Sequence, residues 1–160
     1  MRFIGSALVA SAIVLGACGG GEKAPATDAA TPAAAPAVAA TGTAAPITGT
    51  THEVKMYGDD KGYRFEPKDL TIKAGDGIKF VFINGGPHNV AFNPADIPAD
   101  VKPQLDANFG ADKIAELSSK MLMTAGESVT ISFANIKPGT YPFNCTPHLA
   151  MNMKGTVTVQ

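Results

Sequence analysis

The stretch Tyr141-Pro142-Phe143-Asn144-Cys145-Thr146-Pro147-His148-Leu149-Ala150-Met151-Asn152-Met153-Lys154-Gly155-Thr156-Val157-Thr158-Val159 begins on an aromatic run and ends in strict apolar–polar alternation. Such alternation is the mark of a strand with one buried face. The same period of two recurs at Val54 and Met56, at Ile78, Phe80 and Phe82, at Val90 and Phe92, and at Val129, Ile131 and Phe133. Turn residues separate these runs: Gly58-Asp59-Asp60, Ala74-Gly75-Asp76-Gly77, Asn84-Gly85-Gly86-Pro87, Ala125-Gly126-Glu127 and Lys137-Pro138-Gly139. The pattern predicts an all-β domain built as an antiparallel sandwich. One segment breaks the rhythm. Ala111 to Lys120 follows a proline-rich connection, and Ile114, Leu117 and Met121 fall at i, i+3 and i+7, which predicts one short amphipathic helix in a long loop.

Between its two strand-like ends the quoted stretch carries a thiol, an imidazole and two thioethers. Loops at one end of a sandwich cluster in space, so His88, just past the turn Asn84–Pro87, can join Cys145 and His148. A soft thiolate and two imidazoles form a trigonal plane, and a thioether from Met151 or Met153 can approach from the axis. That donor set holds copper in both the Cu(I) and Cu(II) states. Zinc also accepts nitrogen and sulfur, but methionine is a poor ligand for it. The third histidine, His52, lies at the edge of the first strand with no motif around it, and no ligand role is expected there.

The motifs Pro87-His88-Asn89-Val90, Ala125-Gly126-Glu127-Ser128, Gly139-Thr140-Tyr141 and Cys145-x-x-His148-x-x-x-x-Met153-x-Gly155 resemble those of the cupredoxins, the type 1 blue copper proteins, of the plastocyanin and pseudoazurin kind. The likeness covers nearly all of residues 51–160. It implies a Greek-key β-sandwich of about eight strands, one copper ion, and His88, Cys145, His148 and Met153 as its ligands. It also favours Met153 over Met151 for the axial position, and gives Asn89 the task of fastening the first ligand segment to the cysteine loop. The amide N–H at that position would bond the thiolate. Pro147 has no N–H to offer the sulfur, which should hold the reduction potential high.

The function implied is one-electron transfer between transient protein partners. An exposed edge of His148, in a patch that includes Gly86, Pro87, Leu149 and Met151, would meet those partners. Asn144 departs from the plastocyanins of photosynthetic cells, which carry tyrosine there, so a second electron entry through that face is not expected. An alternative is a copper trafficking or storage protein, which tends to use open sites rich in methionine and histidine. An enzyme with further copper centres would need more than the three histidines present.

The N-terminus completes the layout. Arg2, an apolar run and Leu15-Gly16-Ala17-Cys18 read as a signal peptide over residues 1–17, with Cys18 in a lipobox-like setting and lipidated in the exported protein. The chain has two cysteines, so lipidation of Cys18 leaves Cys145 without a disulfide partner in an oxidising compartment. Residues 18–50, rich in Ala, Pro and Thr, read as a disordered tether, and 51–160 as the folded domain. Loss of Arg2 with the signal leaves 12 basic against 14 acidic residues, and no basic run suggests nucleic acid. The expected protein is a periplasmic or cell-surface monomeric domain held to a bacterial membrane by its lipid.

Overall fold

A computed structural model describes residues 42–160. The expected signal peptide, Cys18 and most of the tether lie outside these residues. Nine strands follow in order: β1 (Thr51–Asp59), β2 (Gly62–Glu66), β3 (Asp69–Ile72), β4 (Gly77–Phe82), β5 (Lys113–Ala115), β6 (Ser118–Ser119), β7 (Ser128–Ser132), β8 (Gly139–Asn144) and β9 (Lys154–Val159). One sheet has the order β2-β1-β4-β7 and the other β3-β9-β8, while β5 and β6 pair as a small ladder. The all-β Greek-key sandwich with one short helix is what the sequence predicts. Not every pairing is antiparallel, however, because β1 runs parallel to β4 and β3 parallel to β9.

Register explains why the alternating residues meet. Val54 stands opposite Phe80, and Phe80 opposite Val129, so one inward row crosses three strands. Val157 faces Tyr141 from the second sheet. The side chains of Val54, Met56, Ile78, Phe80, Val129, Ile131 and Val157 are all buried in one cluster. Phe143 is the hub of its aromatic part, with ring centroids 4.7 Å from Phe65, 5.4 Å from Phe80 and 6.1 Å from Phe92 in edge-on or tilted geometries, which suit the aromatic quadrupole. Gly155 lies opposite Phe143 in the ladder, and a Cβ there would collide with the Phe143 ring and the Lys68 carbonyl. The glycine two residues past Met153 therefore exists to admit a core ring.

The helix is displaced from its predicted place. It forms at α1 (Lys102–Ala107), with Pro103 in its first turn and Leu105 buried. The predicted segment instead supplies β5, a turn and β6, in which Leu117 is buried with φ 51° while Ile114 is 61% exposed. Tertiary pairing overrides the local pattern here. Leu117 accepts a hydrogen bond from the Phe92 amide, Ser119 donates to the Val90 carbonyl, and Leu122 exchanges two bonds with His88. Residues 117–122 thus satisfy the backbone of residues 88–92, whose buried polar groups would otherwise lack partners.

Residues 42–50, assigned by composition to the tether, lie against the domain. Ala45 is buried and donates to Asn108 Oδ1, and Asn108 Nδ2 in turn donates to the carbonyls of Ser132 and Ala134. Thr48 and Gly49 both donate to the Gly75 carbonyl. Asp76 receives the amides of Thr50 and Lys73 and sits 2.9 Å from His52 Nε2. The packed body accordingly begins ahead of Thr51.

Candidate metal centre

Three segments deliver the site. β4 ends at Phe82, and the turn Asn84–Pro87 follows, with Gly85 at φ 73° so close to Gly58 that a side chain would strike its backbone. His88 then leaves the turn and pairs with Leu122 through bonds of 3.0 and 2.7 Å. β8 runs to Asn144, which exchanges bonds of 2.9 and 2.8 Å with Ala91, so Cys145 emerges beside the His88 segment. The chain then turns back over a 3-10 turn at Leu149–Met151 and reaches β9 through Asn152 in the left-handed region. Two bonds close this loop, from the Cys145 amide to the Met153 carbonyl at 3.0 Å and from the Met153 amide to the His148 carbonyl at 3.2 Å.

The resulting donors converge. His88 Nδ1 and His148 Nδ1 are 3.2 Å apart, and Cys145 Sγ lies 3.5 Å from the first and 3.4 Å from the second. All three residues are buried, and they are the one cluster of this kind among the described residues. A point equidistant from the three atoms falls about 2 Å from each, close to a first-row metal–nitrogen bond length. The tautomer of His88 follows from its other nitrogen. Nε2 lies 2.9 Å from the Asn84 carbonyl, an obligate acceptor, so the proton sits on Nε2 and the Nδ1 lone pair faces the sulfur.

Electrostatics favours neutral, uncharged donors before a metal enters. Burial lowers the pKa of His88, an effect opposed by the Asn84 carbonyl and reinforced by His148 nearby, and burial alone lowers that of His148. Burial pushes the Cys145 thiol up, against the backbone N–H groups of Asn89 and His148 that face it. The His148 amide itself donates to the Cys145 carbonyl at 3.2 Å.

Asn89 ties the two segments together: its Oδ1 accepts the Thr146 amide at 2.7 Å and its Nδ2 lies 3.2 Å from Thr146 Oγ1 and from Ser118 Oγ. Met153 is fully buried in the core, whereas Met151 is 52% exposed. Gly86, Pro87 and Pro147 are exposed around the cluster, and Leu149 is 44% exposed. His52 stands apart, bonded to Asp76.

The expected open edge of His148 is largely closed, since the residue keeps only 6% of its surface. The ring of Tyr63 covers it, stacked at 3.7 Å between centroids and 18° between planes. No motif marks Tyr63 in the sequence. The available signal is its place in the β1–β2 hairpin opposite Gly58, where a glycine leaves its partner's ring room to lie flat. Met123, 65% exposed, follows Leu122, the residue paired with His88, and is a second apolar surface residue that the sequence reading did not single out.

Comparison with known proteins decides the family. Residues 52–160 match the family of copper-binding proteins described as plastocyanin/azurin. The chain is 46% identical over 113 residues to a plastocyanin of Nostoc punctiforme, covering 69% of this chain and 74% of that one. It is 37% identical over 117 residues to a plastocyanin of Prochlorothrix hollandica, covering 73% and 79%. The solved oxidised plastocyanin of Dryopteris crassirhizoma superposes with a TM-score of 0.50 at 34% identity, over 68% of this chain and 99% of the other.

The chain belongs to the plastocyanin/azurin family of copper-binding proteins. Its cofactor is one copper ion, and it is a type 1 copper electron carrier, not an enzyme. The donors fit that ion on chemistry alone: one thiolate and two imidazoles, held within bonding reach of a common point, with a buried thioether residue closing the loop.

Proposed function

We propose that His88 Nδ1, Cys145 Sγ, His148 Nδ1 and Met153 would hold the copper of this cupredoxin, and that the protein carries single electrons between transient protein partners at the cell envelope. The observation that carries the ligand assignment is the buried triangle of Nδ1, Nδ1 and Sγ atoms at 3.2–3.5 Å. Copper supplies a reversible one-electron change between Cu(I) and Cu(II). The protein holds the donors where both states are served, so little rearrangement accompanies the change. His88 is fixed through Asn84 and Leu122, Asn89 locks the loop at Thr146, and the surrounding core excludes water. One anionic ligand in a dry pocket limits the net charge the site must carry.

Partners would dock on the patch of Gly86, Pro87, Leu149 and Met151, with Met123 extending it. An apolar surface of this kind suits brief contacts. Export, cleavage before Cys18 and lipidation of that residue would place the domain on the outer side of a bacterial membrane, at the end of the segment before residue 42. Among the described residues no helix is long and apolar enough to cross a membrane.

Adding Cu(II) to the apoprotein should give an intense blue colour that reductant bleaches and oxidant restores, and that Cys145→Ser lacks. A colourless or redox-silent complex sinks the assignment, and loss of copper on reduction would favour a trafficking or storage protein. For the anchor, labelled fatty acid should enter the wild-type chain and not Cys18→Ser, and equal labelling of both would exclude Cys18.

A further inference from the structure

The two imidazoles of the site are held in different ways. His88 has no exposed surface, a hydrogen bond from Nε2 to Asn84, the edge of Phe82 at 5.2 Å and a backbone paired on both sides with Leu122. His148 sits on a short loop, and among the described residues its ring has no hydrogen bond beyond the Nδ1 contacts to Cys145 and His88. What fixes the plane of its ring is therefore packing. The nearest ring is that of Tyr63, almost parallel to it at 3.7 Å between centroids.

Tyr63 is itself held. It stands opposite Gly58 in the β1–β2 ladder, and a Cβ on Gly58 would come within 2.7 Å of the tyrosine ring. The ring thus lies in a slot between a glycine backbone and the His148 imidazole. It also meets His88 edge-on at 6.1 Å, so one side chain touches both histidine arms.

We infer that Tyr63 is the positioning residue for His148: clamped against Gly58, its ring fixes the imidazole plane, keeps water from that face, and holds the Nδ1 donor on the metal position. This deepens the copper reading, because it takes His148 as a ligand. The aromatic face does the work and the hydroxyl does not, since a flat ring is what fits the slot.

The test compares Tyr63→Phe, Tyr63→Leu and Gly58→Ala with the wild type, in two states. In the apoprotein, ring signals of isotope-labelled His148 should be single and sharp for wild type and Tyr63→Phe. They should broaden or double for Tyr63→Leu and for Gly58→Ala, whose methyl meets the Tyr63 ring and also the Gly85 Cα in the turn before His88. In the copper-loaded protein, transfer of Cu(I) to a small colourless chelator should be at least about tenfold faster for Tyr63→Leu and within about twofold for Tyr63→Phe, a ratio worth about 1.4 kcal/mol per decade. Thermal unfolding of each apoprotein identifies variants that merely fail to fold; where Tyr63→Leu is one, Gly58→Ala carries the comparison, with unchanged His88 ring signals as the control for the Gly85 turn. Wild-type ring signals and release rates in Tyr63→Leu overturn the inference, as does a Tyr63→Phe as impaired as Tyr63→Leu. A protein that never turns blue sinks the ligand assignment instead, and the apoprotein signals still decide whether Tyr63 holds His148.

Discussion

β4 joins two buried polar clusters of opposite character, one at each of its ends. Asp76, just before Gly77, receives two backbone amides and lies 2.9 Å from His52, and these bonds hold its carboxyl down at about 2. His88, six residues past Phe82, instead directs an unprotonated nitrogen at another nitrogen and a thiol. At the first end the carboxylate is met by two amides and an imidazole of the protein itself. At the second a thiol and two imidazole nitrogens converge on one point, a donor set that suits a soft cation. The first kind of cluster stabilises the fold, and a convergent set of soft donors serves function at some expense of stability.

That contrast is broken most severely by Cys145→Ser. It should abolish the blue band and weaken copper binding by at least about a thousandfold, because a hydroxyl is a hard, feebly acidic replacement for a soft thiolate. The unfolding midpoint of the apoprotein should hardly move, as the sulfur makes no structural bond there beyond the donor contacts. A large fall in apoprotein stability would mean that Cys145 is chiefly a core residue. Asp76→Asn should do the reverse. Copper colour and potential should persist while the apoprotein loses roughly 5 °C or more in Tm, since Asn cannot accept from Thr50, Lys73 and His52 with the same charge-assisted strength. The sign of the pH effect follows: a depressed carboxylate pKa gives stability that is complete above the ordinary aspartate value of 3.8 and is lost as pH falls through about 2. Acid titration of wild type and variant should therefore converge in that window, and parallel curves would remove Asp76 from the account.

Gly155→Ala sharpens the comparison from the core side. Its new methyl meets the Phe143 ring and the Lys68 carbonyl, and backbone cannot yield as a flexible side chain can. Overpacking of this kind costs about 1–3 kcal/mol. The strain falls two residues from Met153, so copper release should also accelerate. Urea unfolding of apo and loaded protein separates the two effects, and an unchanged midpoint in both would show that the ring simply moves aside.

The ligand loop was readable in the sequence because metal chemistry demands particular residue types within a few positions, whatever the packing around them. The inward rows of β1, β4, β7 and β9 were readable for a related reason, as period two has few other causes. Ile114, Leu117 and Met121 misled because three apolar positions fit a helix and a turn equally well, and the decision came from distant partners at residues 88–92. The docked residues 43–49 left no side-chain signal, since backbone bonds to Gly75 and Asn108 hold them, and Tyr63 reaches His148 across 85 positions of chain. What the sequence hides in each case is a long-range contact made by a residue with an unremarkable local context.

The smallest expected effect concerns the two loop methionines, which the same contrast between buried and open positions separates. Met153 has no exposed surface and precedes β9, whereas Met151 is 52% exposed on the 3-10 turn. Met153→Leu keeps the volume and removes the sulfur, so apoprotein stability should change by less than about 1.5 kcal/mol while the visible and EPR spectra and the reduction potential shift. Met151→Leu should leave spectrum, potential and Tm alone and alter only the rate of electron exchange with a protein partner, because it remodels the surface without reaching the copper. Equal spectral shifts in the two variants would return the axial position to either residue, and a shift confined to Met151→Leu would move the axial ligand out to the surface turn.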